Sequence, residues 1–306
     1  MTQPKLKPGN GMTRRGALTR LGTASLLALG LGPSCHSSHV DASRRRVRFI
    51  VVNDLHHGAP ECEPYFAALL QQMRTHEDIE FVLLLGDLAD TGKAMDLAAI
   101  RDQFQKLGVP FYPVIGNHDY ATMTDRRAYE EVFPGRINYW FRHCGWQFVG
   151  LDSTQGTDYQ NTRIQPGTLN WLDVTLPKLD LDKPTVVFTH FPLGEGVPMR
   201  PLNADEVLHH FVAFNLQGVF GGHHHAFTER RFQGAEVVTN RCCSRLRNNH
   251  DGTKEKGYWL VTAANGRLAR EFVEFPPPKV RSLGSLAPES FAMGLGIAWY
   301  GVQALA

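Results

Sequence analysis

Short apolar runs alternate with amphipathic segments along the middle of the chain. The apolar runs are rich in valine, isoleucine, leucine and phenylalanine and occupy residues 47–53, 81–85, 111–115, 185–189 and 218–221. Runs this short, several of them closed by Gly or Asn, are typical of buried strands. Between them, apolar positions three and four apart predict helices over about 63–74, 95–107, 167–176 and 204–214. This alternation predicts a layered α/β core.

Four further apolar segments complete the predicted core. They cover residues 146–151, 235–239, 258–262 and 270–275, and we expect them to form a second sheet. The chain has no internal repeat, so a single domain is predicted from about residue 46 to 275. Three prolines, Pro276 to Pro278, end it because proline stops both helix and sheet.

Polar side chains follow each of the first five apolar runs directly. They are Asp54 and His56; Asp87 and Asp90; Asn117, His118 and Asp119; His190; and His223 and His225. Loops at strand ends are where α/β proteins usually hold their sites. Any one of these residues alone is better explained structurally, for example Asp54 as a helix cap or His190 as a core histidine. Together they supply enough donors for two divalent metals that share one carboxylate.

The order of these motifs, D-x-H, GDxxD, GNHD, a single histidine and GHxH, resembles the calcineurin-like phosphoesterase superfamily. The resemblance implies a two-sheet sandwich flanked by helices. It also implies two ligand sets that share Asp87 as a bridge: Asp54, His56, Asp87 and His225 for the first metal, and Asp87, Asn117, His190 and His223 for the second. His118 is then expected to meet the substrate without binding metal, and Asp90 to orient His118 by a hydrogen bond. Asp119 is expected to cap the segment that follows.

The donor set limits the metals and the chemistry. Carboxylate, amide and imidazole ligands suit Mn, Fe, Zn, Co or Ni and do not choose among them. Two such ions can neutralise a phosphate ester, lower the pKa of a shared water and present hydroxide in line with the leaving group. We therefore predict hydrolysis of phosphate esters. A non-catalytic scaffold that binds metal or phosphate is the alternative class, but it leaves His118 and Asp90 unexplained.

The residues at positions 90 and 91 differ from those of two related groups of phosphatases, and this difference limits the expected class of substrate. Purple acid phosphatases have tyrosine at the position of Asp90, and protein phosphatases have arginine at the position of Thr91, where it helps to hold phosphate. Residues 86–92 and 190–192 instead resemble bacterial class III cyclic-nucleotide phosphodiesterases and related glycerophosphodiesterases. Small-molecule phosphodiesters are therefore expected to be better substrates than monoesters, with a phosphomonoesterase or nucleotidase as the alternative.

Three other features carry weaker expectations. The segment 241–256, with Arg245, Arg247 and Asn249, could line a substrate pocket, although a polar surface hairpin is the favoured interpretation. His57 and His224 adjoin predicted ligands, but alternation along an extended segment should point them away. Among the cysteines, Cys144 could be bridged to Cys242 or Cys243, or these could be buried free thiols.

The charge distribution separates the start of the chain from its body. The chain has 32 basic and 30 acidic residues, and residues 1–42 contain five of the basic ones and a single acidic one, Asp41. The remainder, with 27 and 29, has a net charge of −2, so no nucleic-acid partner is expected.

The first 42 residues resemble an export signal of the twin-arginine type. Arg14 and Arg15 precede an uncharged stretch over 21–32 that is too short to span a bilayer. We expect export to the periplasm or cell envelope, with a disordered basic arm as the alternative. Membrane association is left open in two places. Cys35 follows a weak lipoprotein-type box, and residues 290–306 are 17 uncharged residues that could contact a membrane, pack on the domain or be disordered.

Overall fold

The computed structural model describes residues 45–276. This part of the chain contains eleven strands: β1 Val47–Val52, β2 Ile79–Leu85, β3 Phe111–Val114, β4 Tyr139–His143, β5 Trp146–Leu151, β6 Thr185–Thr189, β7 Leu216–Gly221, β8 Thr228–Phe232, β9 Ala235–Thr239, β10 Gly257–Ala264 and β11 Arg267–Glu274. It also contains five α-helices: α1 Cys62–Met73, α2 Ala94–Gln105, α3 Arg127–Val132, α4 Pro166–Thr175 and α5 Ala204–His210. Every helix and strand predicted from the apolar pattern is present, within a few residues of its expected ends.

The strands form two mixed sheets. The five-stranded sheet has the order β11-β10-β1-β2-β3, and the six-stranded sheet has the order β4-β5-β6-β7-β9-β8. Strands β1, β2 and β3 are parallel, as are β5, β6, β7 and β9. The carboxyl ends of the parallel strands in each sheet therefore share one edge, which is where the polar motifs begin.

The predicted grouping of strands into sheets was wrong in part. Strands β10 and β11 lie in the first sheet, where β10 pairs antiparallel with β1. Strands β6 and β7 lie in the second sheet, between β5 and β9. An apolar run indicates burial, but it does not specify which distant strand will be its neighbour. Strands β4 and β8 and helix α3 were not predicted; β8 is a polar edge strand whose side chains are mostly exposed.

The inner faces of the two sheets meet in an aromatic core. Phe148 of the second sheet packs edge-on against Phe49 and Phe81 of the first, with ring centroids 5.5 and 5.1 Å away. Helices α1 and α2 cover the outer face of the five-stranded sheet, and α4 and α5 cover that of the six-stranded sheet. The predicted two-sheet sandwich flanked by helices is confirmed.

Two other predictions can be compared with the described residues. Cys242 and Cys243 are buried free thiols, so neither is bridged to Cys144. Within residues 45–276, no helix has both the length and the apolar character that crossing a bilayer requires. The predicted export signal, the lipid attachment at Cys35 and the tail over 290–306 lie outside the described residues.

Candidate metal centre

The backbone bends sharply at the predicted ligands. Asp54, His56, Asp87, His223 and His225 all have φ between 46° and 64°. Non-glycine residues seldom adopt this left-handed conformation, and strain of this kind is typical of functional sites. Each bend follows a strand and turns the side chain into a hollow between the two sheets. The extended backbone assumed for these segments in the sequence analysis was therefore wrong.

A hydrogen bond and a glycine bring three of the loops together. The N–H of His56 donates to the carbonyl of Asp87 at 2.8 Å, which ties the loop after β1 to the loop after β2. A Cβ at Gly116 would lie 2.2 Å from the backbone nitrogen and a carboxylate oxygen of Asp87. Only glycine allows the loop after β3 to approach Asp87 this closely.

The first donor cluster combines residues from both sheets. Nε2 of His225 lies 3.2 Å from Oδ1 of Asp54 and 3.4 Å from Nε2 of His56. All three side chains are buried, and their donor atoms lie within 4.8 Å of one another. These three residues could therefore hold one metal ion.

The second cluster has the same composite origin. Nε2 of His190 lies 3.1 Å from Oδ1 of Asn117, 3.2 Å from Nδ1 of His223 and 3.3 Å from Oδ1 of Asp87. Asp87, His190 and His223 are buried and could hold a second ion. The amide oxygen of Asn117 adds a neutral donor to this cluster.

Asp87 lies between the two clusters. Its Oδ1 faces His190 of the second cluster, whereas its Oδ2 lies 3.5 Å from Nε2 of His56 in the first. One carboxylate thus presents an oxygen to each side, as the bridging prediction requires. The structure brings all seven predicted ligands together.

Three of the histidines each use one ring nitrogen to bond to a backbone carbonyl and direct the other nitrogen into the hollow, where it could bind a cation. Nδ1 of His190, Nε2 of His223 and Nδ1 of His225 donate to backbone carbonyls at 2.8, 2.9 and 3.0 Å. A carbonyl only accepts, so in the neutral rings the other nitrogen carries a lone pair that faces the hollow. Nε2 of His190 and Nδ1 of His223 lie 3.2 Å apart, so they need a cation between them, either a proton or a metal ion. The donor set therefore fits metal ions.

Without metal, each cluster contains one histidine that favours its protonated form. Burial lowers the pKa of His190, but the carboxylates of Asp87 and Asp54 outweigh it and raise the pKa to about 9. Burial is likewise outweighed by Asp54 at His225, whose pKa rises to about 11. Burial and the neighbouring His190 lower the pKa of His223 to about 3, and burial lowers the pKa of His56. A cation entering either cluster must displace a proton.

His118 borders the clusters without belonging to either donor set. Its backbone N–H donates to Oδ1 of Asp87 at 2.9 Å, and its Nδ1 donates to the backbone carbonyl of Asp90 at 2.8 Å. The predicted hydrogen bond between Asp90 and His118 therefore exists, but it uses the carbonyl of Asp90. The carboxylate lies 3.2 Å from Nδ1 of His56 and accepts from Arg247. The bond to His56, reinforced by Arg247, lowers the pKa of Asp90 to about 2 against the effect of burial.

The comparisons with known proteins agree with this geometry. A family model described as calcineurin-like phosphoesterase matches residues 47–227, a range that includes all seven predicted ligands. The chain belongs to this family. The predicted family is thus confirmed.

The curated relatives of this calcineurin-like phosphoesterase are named as diesterases. A probable cyclic nucleotide phosphodiesterase of Synechococcus is 28% identical over 50% of this chain and 60% of its own length. One from Psychrobacter arcticus is 26% identical over 78% of this chain and 97% of its own length. A probable glycerophosphodiester phosphodiesterase of Arcobacter nitrofigilis is 30% identical over 37% and 42%. The match to the Synechococcus protein thus spans less than two thirds of that relative.

Similar solved structures support the assignment of the fold and say nothing about the function. A purple acid phosphatase from yellow lupin seeds has a TM-score of 0.56 and 15% identity, over 77% of this chain and 52% of that one. The anchor of the Plasmodium inner membrane complex has a TM-score of 0.54 and 14% identity, over 75% and 84%. A phosphatase and an anchor thus share this architecture, so the function has to be argued from the site.

Asp119 clamps two loops of this phosphoesterase-family fold. Its carboxyl oxygens accept the backbone N–H groups of Ala89 and Gly116, both at 2.9 Å. Burial, together with the nearby charge of Asp87, raises the pKa of Asp119 to about 8. Both bonds go to residues that precede Asp119, so it ties the loop after β3 to the loop after β2 and these bonds do not cap the segment that follows, as was expected.

A cleft of about 620 Å³ opens over the clusters. Four of the seven predicted ligands, His56, Asp87, His223 and His225, line its floor with His118. Its walls are formed by Tyr159, Gln160, Met199, Leu246, Arg247, Asn248 and His250. The segment 241–256 therefore contributes to the cleft, and the favoured surface-hairpin interpretation was wrong, since no strand occurs in it. Arg245 is exposed and does not line the cleft, whereas Asn249 is buried and bonds within its own loop.

Three of the seven wall residues had no signal in the sequence. Tyr159, Gln160 and Met199 come from loops without a motif, and only folding brings them to the ligands. The expectation for His57 was met, since its ring bonds to Asp96 at 2.9 Å and to Glu63 at 3.2 Å, and it does not line the cleft. His224 likewise does not line the cleft.

Proposed function

We propose that the protein hydrolyses small-molecule phosphodiesters with the help of two divalent metal ions. The observation that carries this proposal is the position of Asp87, with one carboxylate oxygen facing each of two buried donor clusters. Two ions held there would neutralise the phosphate oxygens and lower the pKa of a bound water.

His118 and Asp90 have separate roles in this proposal. The carbonyl of Asp90 accepts the Nδ1–H of His118, which leaves Nε2 of that ring for the substrate. Once Nε2 is protonated, the ring can donate to a phosphate oxygen or pass this proton to the leaving oxygen. The carboxylate of Asp90 faces Nδ1 of His56 and so orients that predicted ligand.

The names of the relatives support a diester as the substrate. They include cyclic nucleotide and glycerophosphodiester phosphodiesterases. A phosphomonoesterase or nucleotidase is the second candidate, and one observation favours it. The expected lack of an arginine was the reason for placing monoesters second, but Arg247 lines the cleft beside Asp90.

The test is a substrate panel on purified protein of known metal content. The panel contains cyclic nucleotides, glycerophosphodiesters and nucleoside monophosphates, together with bis-p-nitrophenyl phosphate and p-nitrophenyl phosphate. The value of kcat/KM should be higher for diesters at the same pH and metal loading. A monoester preference would replace the diesterase proposal with a phosphatase.

Removal of metal separates an enzyme from a binding scaffold. A chelator should abolish turnover, and added divalent metal should restore it. A metal-loaded protein that binds inorganic phosphate but turns over none of the esters would favour the scaffold.

Export is proposed separately, from the sequence of residues 1–42. Replacing Arg14 and Arg15 together by lysine should retain a folded, active protein in the cytoplasm, as measured by cell fractionation. Undiminished export of this double variant would contradict the twin-arginine route.

A further inference from the structure

Arg247 lies in the cleft wall next to the group proposed for proton transfer. Its Nε and Nη2 both donate to Oδ1 of Asp90, at 2.8 and 2.7 Å. The carbonyl of the same Asp90 accepts Nδ1 of His118 at 2.8 Å. Arg247 and His118 therefore both hydrogen-bond to Asp90, and both line the same cleft.

Buried groups hold the backbone of Arg247 in place. Lys256 is only 9% exposed, and its Nζ donates to the carbonyl of Arg247 at 2.7 Å. The N–H of Arg247 donates to Oγ of Ser244 at 3.1 Å, and the next carbonyl, of Asn248, accepts Nδ1 of the predicted ligand His225 at 3.0 Å. The guanidinium is thus fixed relative to the metal clusters, so binding an anion costs little extra ordering.

The guanidinium has N–H groups that are not used by Asp90. Of its five N–H groups, only one from Nε and one from Nη2 are directed at Asp90, and 40% of the side chain is exposed. The Asp90 carboxylate also faces Nδ1 of His56 at 3.2 Å, so its negative charge is shared and does not belong to Arg247 alone. A planar, permanently charged fork of this kind matches phosphate oxygens.

We propose that Arg247 binds a phosphate oxygen of the substrate and sets how well phosphomonoesters are accepted. The proposal rests on the function proposed above. A monoester dianion carries one negative charge more than a diester and gains more from an added cation. The sequence pattern placed no arginine here because Thr91 follows Asp90. The structure supplies one from a residue 157 positions after Asp90.

The test compares Arg247→Gln with Arg245→Gln. Arg245 belongs to the same segment but is exposed and lies outside the cleft, so it is a matched control. With metal-loaded proteins, kcat/KM is measured for p-nitrophenyl phosphate and bis-p-nitrophenyl phosphate, and binding of inorganic phosphate is measured by calorimetry. Arg247→Gln should lower the monoester value and the phosphate affinity by about 10- to 100-fold, the usual range for a lost charged hydrogen bond, and lower the diester value less. Arg245→Gln should match the wild type.

Several outcomes would overturn the proposal. An equal fall for both esters with unchanged phosphate affinity would mean that Arg247 only orients Asp90, and loss of metal from Arg247→Gln would mean that it only supports His56. If Arg247→Gln does not fold, Arg247→Lys decides, because it keeps the charge without the fork. Phosphate affinity equal to the wild type in that variant would refute binding through the fork. If the wild type turns over neither ester, the proposed function fails, while the phosphate affinities still test Arg247.

Discussion

The two sheets contribute different chemistry to the same site. The loops after β1, β2 and β3 of the five-stranded sheet supply all the oxygen donors, on Asp54, Asp87 and Asn117, together with His56. The loops after β6 and β7 of the six-stranded sheet supply only imidazoles, on His190, His223 and His225. Each cluster contains donors from both sheets. Neither sheet supplies a complete donor cluster alone, so the candidate metal centre forms only where the sandwich closes.

The two sheets also differ in the charge of their ligands. The two histidines that favour the protonated form, His190 and His225, both come from the six-stranded sheet, and each faces a carboxylate of the other sheet at 3.3 and 3.2 Å. In the metal-free protein these pairs link the two sheets. Metal ions would replace the two protons and bind the same groups.

The largest effect is expected from Asp87→Ala, which removes the group that faces both clusters. This variant should lose nearly all bound metal, whereas Asp54→Ala should lose the ion of the first cluster and retain much of the second. Elemental analysis of the purified proteins measures this. Full metal content in Asp87→Ala would disprove the bridging assignment.

His118→Ala tests whether a residue of the five-stranded sheet acts in chemistry without binding metal. It should retain its metal and lower kcat by about 10² to 10⁴, the range for a lost proton-transfer group. An ester with a poor leaving group should suffer more than a p-nitrophenyl ester, because p-nitrophenolate departs without a proton. Asn117→Ala is the control from the same loop and should lose metal. Metal loss from His118→Ala would make it a ligand.

The contact between the sheets can be weakened away from the site. Phe148 is fully buried between the sheets, so Phe148→Ala should lower the free energy of unfolding by about 3–5 kcal/mol. Urea denaturation of the metal-free protein measures this. Val174→Ala on α4, at a side chain that is 65% exposed, should change it by no more than about 0.5 kcal/mol. Equal effects of the two substitutions would mean that Phe148 does not pack between the sheets.

The smallest effect concerns protons. Because the pKa values of His190 and His225 are raised to about 9 and 11, both are charged at neutral pH without metal, and each ion must displace one proton. Metal affinity should therefore rise about tenfold per pH unit as the pH increases towards 9. Calorimetry in buffers of different ionisation enthalpy should show about one proton released per ion. Binding without proton release would mean that these histidines are already neutral.

Much of the site could be predicted from the sequence because its motifs are local. A buried strand followed closely by a polar ligand can be recognised from a few consecutive residues, and the seven ligands meet as expected. The order of five such motifs was enough to indicate the family and the sandwich.

Other features were decided only by the tertiary structure. Strand β10 joins β1 across a separation of about 200 residues, and its apolar pattern suits either sheet equally well. The carboxylate of Asp90 turns to His56 and Arg247, while its carbonyl takes the predicted bond to His118. Arg247 enters the cleft because Lys256 and Ser244 fix its loop. Local patterns encode burial and turns, whereas the partner of a strand or of a charged side chain depends on which distant surfaces pack together.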